Sequence, residues 1–128
     1  MMVSSKTRKT VLVVEDNADS RGMMEAYLKK IGYIPILAED GKAAIETAIQ
    51  YLPDMILMDV AMPTMNGVEA ATILRSTRRT ADIPIVAVTA HGRFIPREVT
   101  SELFSEVVEK PIDLKALKPL IEKHVRRN

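Results

Sequence analysis

Glu15, Asp16, Asp59, Thr89 and Lys110 each stand at the end of a short apolar run, and together they hold three carboxylates, a hydroxyl and an ammonium. Carboxylates brought within a few ångströms repel and raise one another's pKa. A hard divalent cation relieves that repulsion, and an all-oxygen donor set with neither His nor Cys suits Mg²⁺ best. A carboxylate left free beside the cation can act as a nucleophile, and an aspartate attacking phosphorus yields an acyl phosphate. The cation and Lys110 would neutralise charge on the transferring oxygens, which is most of what phosphoryl transfer asks of a protein.

That chemistry requires the five residues to meet, so the elements that carry them matter. Apolar runs occur at Val11-Leu12-Val13-Val14, Met55-Ile56-Leu57-Met58, Ile85-Val86-Ala87-Val88 and, more weakly, Val107-Val108. Amphipathic stretches lie between them. Met24, Tyr27, Leu28 and Ile31 recur at helical spacing, as do Ile45, Ala48, Ile49 and Leu52. Asn17 and Asp40 stand where N-caps are wanted. Strands alternating with helices predict an α/β fold, a doubly wound five-stranded parallel sheet with helices on both faces. Pro35 cannot donate to a ladder, which sends the second strand to an edge and favours the flavodoxin-like order 2-1-3-4-5. In that order strands 1 and 3 flank the topological switch point, and the carboxyl ends of the strands open on one crevice. The last helix is expected from about Asp113 to Arg126, with Pro119 producing a kink or a late start.

The 128 residues suffice for one domain with a core, and 47% hydrophobic composition argues against a disordered chain. No apolar run reaches membrane-spanning length, no signal-peptide pattern follows Met1, and cysteine is absent. A cytoplasmic location is the simplest expectation. A net charge of +1 gives no argument for direct nucleic-acid or membrane binding. Residues 1–9 read as a basic N-terminal tail with Lys6, Arg8 and Lys9, and residues 10–128 as the folded domain.

Four short motifs in order, Val11 to Asn17, Ile56 to Pro63 with Met65-Asn66-Gly67, Val88-Thr89-Ala90, and Glu109-Lys110-Pro111, resemble those of the receiver domains of two-component response regulators, typified by the chemotaxis receiver. The resemblance covers about Thr10 to Val125. It implies that Asp59 is the phosphoacceptor, and that Asp16 ligates Mg²⁺ directly, with Glu15 acting largely through water. The Ala61 backbone carbonyl would be a further ligand. It implies that Thr89 donates its hydroxyl to the phosphoryl group, that small Ala90 leaves that group room, and that Lys110 pairs with Asp59 and then with phosphate. It also implies a cis peptide before Pro111. Ala61 and His91 fall where similar domains tune water's access to the acyl phosphate. The partners implied are a sensor histidine kinase or phosphotransfer protein and a downstream protein. The activity implied is self-phosphorylation with slow self-dephosphorylation, not turnover enzymology.

Simpler readings exist for each residue. Asp59 alone could cap a helix, Thr89 could be a β-branched strand residue, and His91 reads as a solvated loop residue without chemistry. Met58, Met62 and Met65 read as core filler, and Asn66-Gly67 as a turn. The sequence also departs from the family pattern. Where similar receivers carry an aromatic switch residue three positions before the lysine, this chain has Val107, too small and stiff to take that part. The segment His91 to Glu106 must then absorb any change itself. A receiver-fold interaction module whose output ignores phosphate is the alternative. A flavodoxin-like cofactor protein is set aside, because Glu15-Asp16-Asn17 would repel a phosphate unless a metal intervened.

Overall fold

A computed structural model describes residues 8–60, 66–90 and 101–126. The elements run β1 (Thr10–Val14), α1 (Ala18–Lys30), β2 (Ile34–Ala38), α2 (Gly41–Tyr51), β3 (Met55–Asp59), α3 (Gly67–Ser76), β4 (Ile85–Thr89), β5 (Glu106–Glu109) and α4 (Leu114–His124). Among the described residues the strands form one parallel sheet in the order β2-β1-β3-β4-β5. The expected fold class holds, and Pro35 lies in the edge strand β2, in register with Val11.

Alternation along the central strands divides the core into two layers. Leu12, Val14, Ile56, Met58, Ile85 and Ala87 pack with Ala44, Ala48, Ala70, Ala71 and Leu74 from α2 and α3. Val11, Val13, Met55, Leu57 and Val86 pack on the opposite face with Met24 and Leu28 from α1 and Leu117 and Ile121 from α4. With helices on both faces, β3 and β4 are buried at every residue, which is why they read as unbroken apolar runs. Each fully buried Leu or Ile contributes about 1.5–3 kcal/mol relative to exposure.

Local chemistry sets the helix starts. The side chains of Asn17, Asp40, Asn66 and Asp113 accept from backbone N–H groups in the first turns of α1, α2, α3 and α4. Asn66 and Glu69 cap each other reciprocally, so Asn66 is an N-cap and does more than turn the chain. Of the kink or late start expected at Pro119, the late start does not occur. α4 begins at Leu114 and continues through Pro119 to His124. The proline faces solvent, where water can serve the carbonyl that loses its amide partner, while Leu117 and Ile121 anchor the other side.

Two side-chain clusters fasten distant parts of the chain. Arg75, in the last turn of α3, donates to the carbonyl oxygens of Ala81 at 2.9 Å, Ile83 at 2.7 Å and Leu103 at 3.2 Å. Its burial pushes the guanidinium pKa down, with nearby Asp82 opposing. At the other fastening Glu106 Oε1 lies 2.6 Å from His124 Nε2 and accepts from Lys123 Nζ at 3.3 Å, tying β5 to the end of α4. The His124 bond, against the opposing effect of burial and with help from Lys123, holds the Glu106 carboxyl below its ordinary value of 4.5. A depressed carboxylate adds stability that is present above the unfolded value and is lost as pH falls through the folded one. Glu106→Gln should therefore flatten the acid limb of the stability curve below about pH 4.5. Urea midpoints across pH, with equal acid limbs in both proteins as the contrary result, check this.

Candidate functional site

Strand register builds the site. Val14 lies beside Met58, Asp59 beside Val88, and Thr89 beside Glu109. The first residues past β1, Glu15 and Asp16, the last residue of β3, the last of β4, and the first past β5 thus reach one end of the sheet. Carboxylate oxygens of Glu15, Asp16 and Asp59 lie within 4.8 Å of one another. Glu15, Asp59 and Thr89 are buried, whereas Asp16 is exposed.

Lys110 Nζ donates to Asp59 Oδ2 at 2.8 Å and to Glu15 Oε1 at 3.2 Å. Burial of the ammonium would lower its pKa, but the bonds and charges of Asp59 and Glu15 outweigh it and raise the value above that of an ordinary lysine. The other Glu15 oxygen, Oε2, accepts from the Asn17 amide at 3.0 Å. Both oxygens of Glu15 are therefore engaged, which fits a carboxylate that would reach a cation through water. The Asp16 carboxylate, facing solvent beside two acids that already share one lysine, is the oxygen donor open to a cation.

The Lys110–Pro111 peptide is cis. Lys110 N donates to Thr89 O at 2.8 Å, which carries the sheet ladder up to the lysine itself. The Thr89 hydroxyl makes a long 3.4 Å contact with its neighbour's carbonyl, Ala90 O, and Ala90 is exposed. Ala61, Met62, Met65 and His91 lie outside the described residues. So do residues 91–100, most of the segment expected to absorb change. Met58 is fully buried, as core filler should be.

A cavity of about 390 Å³ opens beside Asp59 and Lys110 and is walled by Met23, Met24, Ile112 and Leu114. Sequence reasoning placed Met24 in a helical stripe and did not anticipate this apolar wall. It also passed over Arg21, whose guanidinium reaches back to the Glu15 carbonyl. A cation in the second turn of a helix opposes the macrodipole, and that misfit was the available signal.

Comparison with known proteins agrees with this geometry. The family model described as the response regulator receiver domain matches residues 11–122. A probable transcriptional regulator, ycf27, of Guillardia theta is 32% identical over 126 residues, 98% of this chain and 48% of that protein. The chain spans about half the length or less of the first curated relatives it matches. The receiver domain of the sensor histidine kinase PA1611 from Pseudomonas aeruginosa PAO1, solved with a magnesium ion coordinated in its active site cleft, superposes with a TM-score of 0.83 at 28% identity, covering 92% of this chain and 98% of that one. The response regulator TrrA from Thermotoga maritima, in complex with Mg²⁺ and BeF, gives 0.81 at 26% identity, covering 91% and 99%. With the fold, the acidic crevice and the family match in agreement, the chain belongs to the response regulator receiver domain family.

Proposed function

We propose that this domain is a phosphoacceptor switch that takes a phosphoryl group onto Asp59 from a histidine kinase or phosphotransfer protein. The observation that carries the reading is the buried Asp59 carboxylate held 2.8 Å from Lys110 Nζ and clustered with Glu15 and Asp16. The donor set is oxygen-only and its exposed member, Asp16, is open, so the residues fit Mg²⁺. Asp16, Asp59 and the Ala61 carbonyl would hold the cation, with Glu15 acting through water. The bound cation would supply charge neutralisation for the transferring oxygens.

The chain's own groups do the rest. An Asp59 carboxylate oxygen forms the bond to phosphorus while the bond from phosphorus to the donor atom breaks, and the electron pair leaves with the donor. Lys110 releases its hold on the carboxylate and takes up a phosphoryl oxygen. Thr89 offers its hydroxyl to another, and Ala90 leaves the space clear. Receiver domains work between histidine kinases and downstream effectors, and a switch of this kind is phosphorylated and reset without being a turnover enzyme. Segment 91–106 is the proposed responsive surface, since Val107 replaces the aromatic that similar receivers use.

Incubation with acetyl phosphate should add one phosphoryl group by intact mass, only with Mg²⁺ present, and none in Asp59→Asn or in EDTA. Labelling of the Asp59→Asn protein would place the phosphoryl group elsewhere and refute the assignment, whereas no labelling of wild type with donor and metal in excess would favour phosphate-independent output.

A further inference from the structure

The Glu15-Asp16-Asn17 turn joins β1 to α1 and carries two of the three clustered carboxylates. Its backbone is held at one end by Glu15 N donating to Ala38 O at 3.1 Å, and at the other by Ser20 N donating to the Asn17 side chain at 2.9 Å. Within the turn, Asn17 N binds the Glu15 carboxylate. The Asp16 peptide between them is held from α1. Arg21, the fourth residue of that helix, folds its guanidinium back over the N-terminus. Its Nη1 donates to Glu15 O at 2.9 Å and, more weakly, to Asp16 O at 3.4 Å.

This placement is costly on its own terms, because a cation near a helix N-terminus meets the positive end of the dipole. It also sets a positive charge near the site where a dication would bind. A surface arginine with no other task would swing to solvent. Two carbonyl contacts hold it here, and both belong to the peptides that carry Glu15 and Asp16.

We propose that Arg21 is a positioning residue for the cation site, holding the Glu15-Asp16 turn so that both carboxylates face Asp59. The proposal rests on the Mg²⁺ reading above, and the two can fail separately. Charge and geometry predict opposite signs. Removing a positive charge near a dication should by itself strengthen Mg²⁺ binding. Losing the carbonyl contacts should weaken it, because Asp16 is aimed by its backbone.

The test is calorimetric titration of the chain with Mg²⁺ at low and high salt, in wild type, Arg21→Met and Arg21→Lys, with apo melting followed in EDTA. Arg21→Met should bind Mg²⁺ roughly tenfold more weakly, the lower end of what supporting partners of metal ligands contribute. That loss should persist at high salt, since screening weakens charge effects and leaves geometry untouched. Arg21→Lys keeps the charge and one donor without the planar fork, and should fall between the two. Equal or tighter binding in Arg21→Met overturns the positioning role while leaving the metal site standing. A wild type that takes up no Mg²⁺ overturns both. If the Met variant does not fold, the Lys variant decides: weaker binding supports the role, and unchanged affinity overturns it.

Discussion

Asp16→Ala should reduce Mg²⁺ affinity by roughly a hundredfold or more, beyond the 10–100-fold typical of losing a residue that only supports a ligand. It should do so without harming the metal-free fold. Lys110 already pairs with Asp59 and Glu15, so their charges are partly offset without metal. Asp16 has no share of that lysine and adds only a third negative charge within 4.8 Å of the others. Its removal relieves repulsion and leaves no buried group unpaired, because Asp16 is exposed. The metal-free melting temperature should therefore hold or rise as metal affinity falls. Titration calorimetry and melting in EDTA read the two quantities separately. Unchanged affinity would show that the cation sits elsewhere, and a lower melting temperature would show that Asp16 has a structural task.

Gly67→Ala should be strongly destabilising. A Cβ there would stand 2.7 Å from Asp59 O, 2.8 Å from Val60 Cα and 3.0 Å from Met58 Cγ. Two of those atoms are backbone at the end of β3, so the methyl cannot be accommodated by rotating a side chain. Overpacking costs about 1–3 kcal/mol, occasionally more, and the backbone clash argues for the upper end. That corresponds to a drop in Tm of roughly 10 °C for a domain of this size. The strain falls on the peptide that carries Asp59, so phosphoryl uptake should slow even in molecules that remain folded. Gly22→Ala is the matched control. Nothing lies within 4 Å of a Cβ at that exposed position in α1, and the change should stabilise by about 0.5–1 kcal/mol through helix propensity. Equal melting temperatures for the two variants would contradict the close-approach account.

Much of this was legible because it depends on local patterns. Four apolar runs with polar ends marked β1, β3, β4 and β5, and a single proline placed β2 at the edge. The acidic site was legible because a parallel sheet brings strand ends together whatever the details of packing. What escaped was tertiary. Gly67 reads as a turn residue beside Asn66, and its closeness to Asp59 is visible only once α3 packs on β3. Pro119 reads as a helix breaker, and its tolerance depends on which side of α4 faces solvent. Leu52 reads as part of the α2 stripe, yet it closes that helix with φ at +48°. Arg75 drew no reading from the sequence, because its three carbonyl partners lie 6, 8 and 28 residues away.

Arg75 also bears on how a signal could travel. The chain between β4 and β5 is moored at both ends, by the bond from Lys110 N to Thr89 O at one and by the Arg75 guanidinium on Leu103 O at the other. The first mooring joins Thr89, proposed to meet the phosphoryl group, to Lys110, whose ammonium lies 2.8 Å from Asp59. The second anchors to α3, which starts against the Asp59 peptide at Gly67. Both ropes therefore lead back to the same aspartate by different routes.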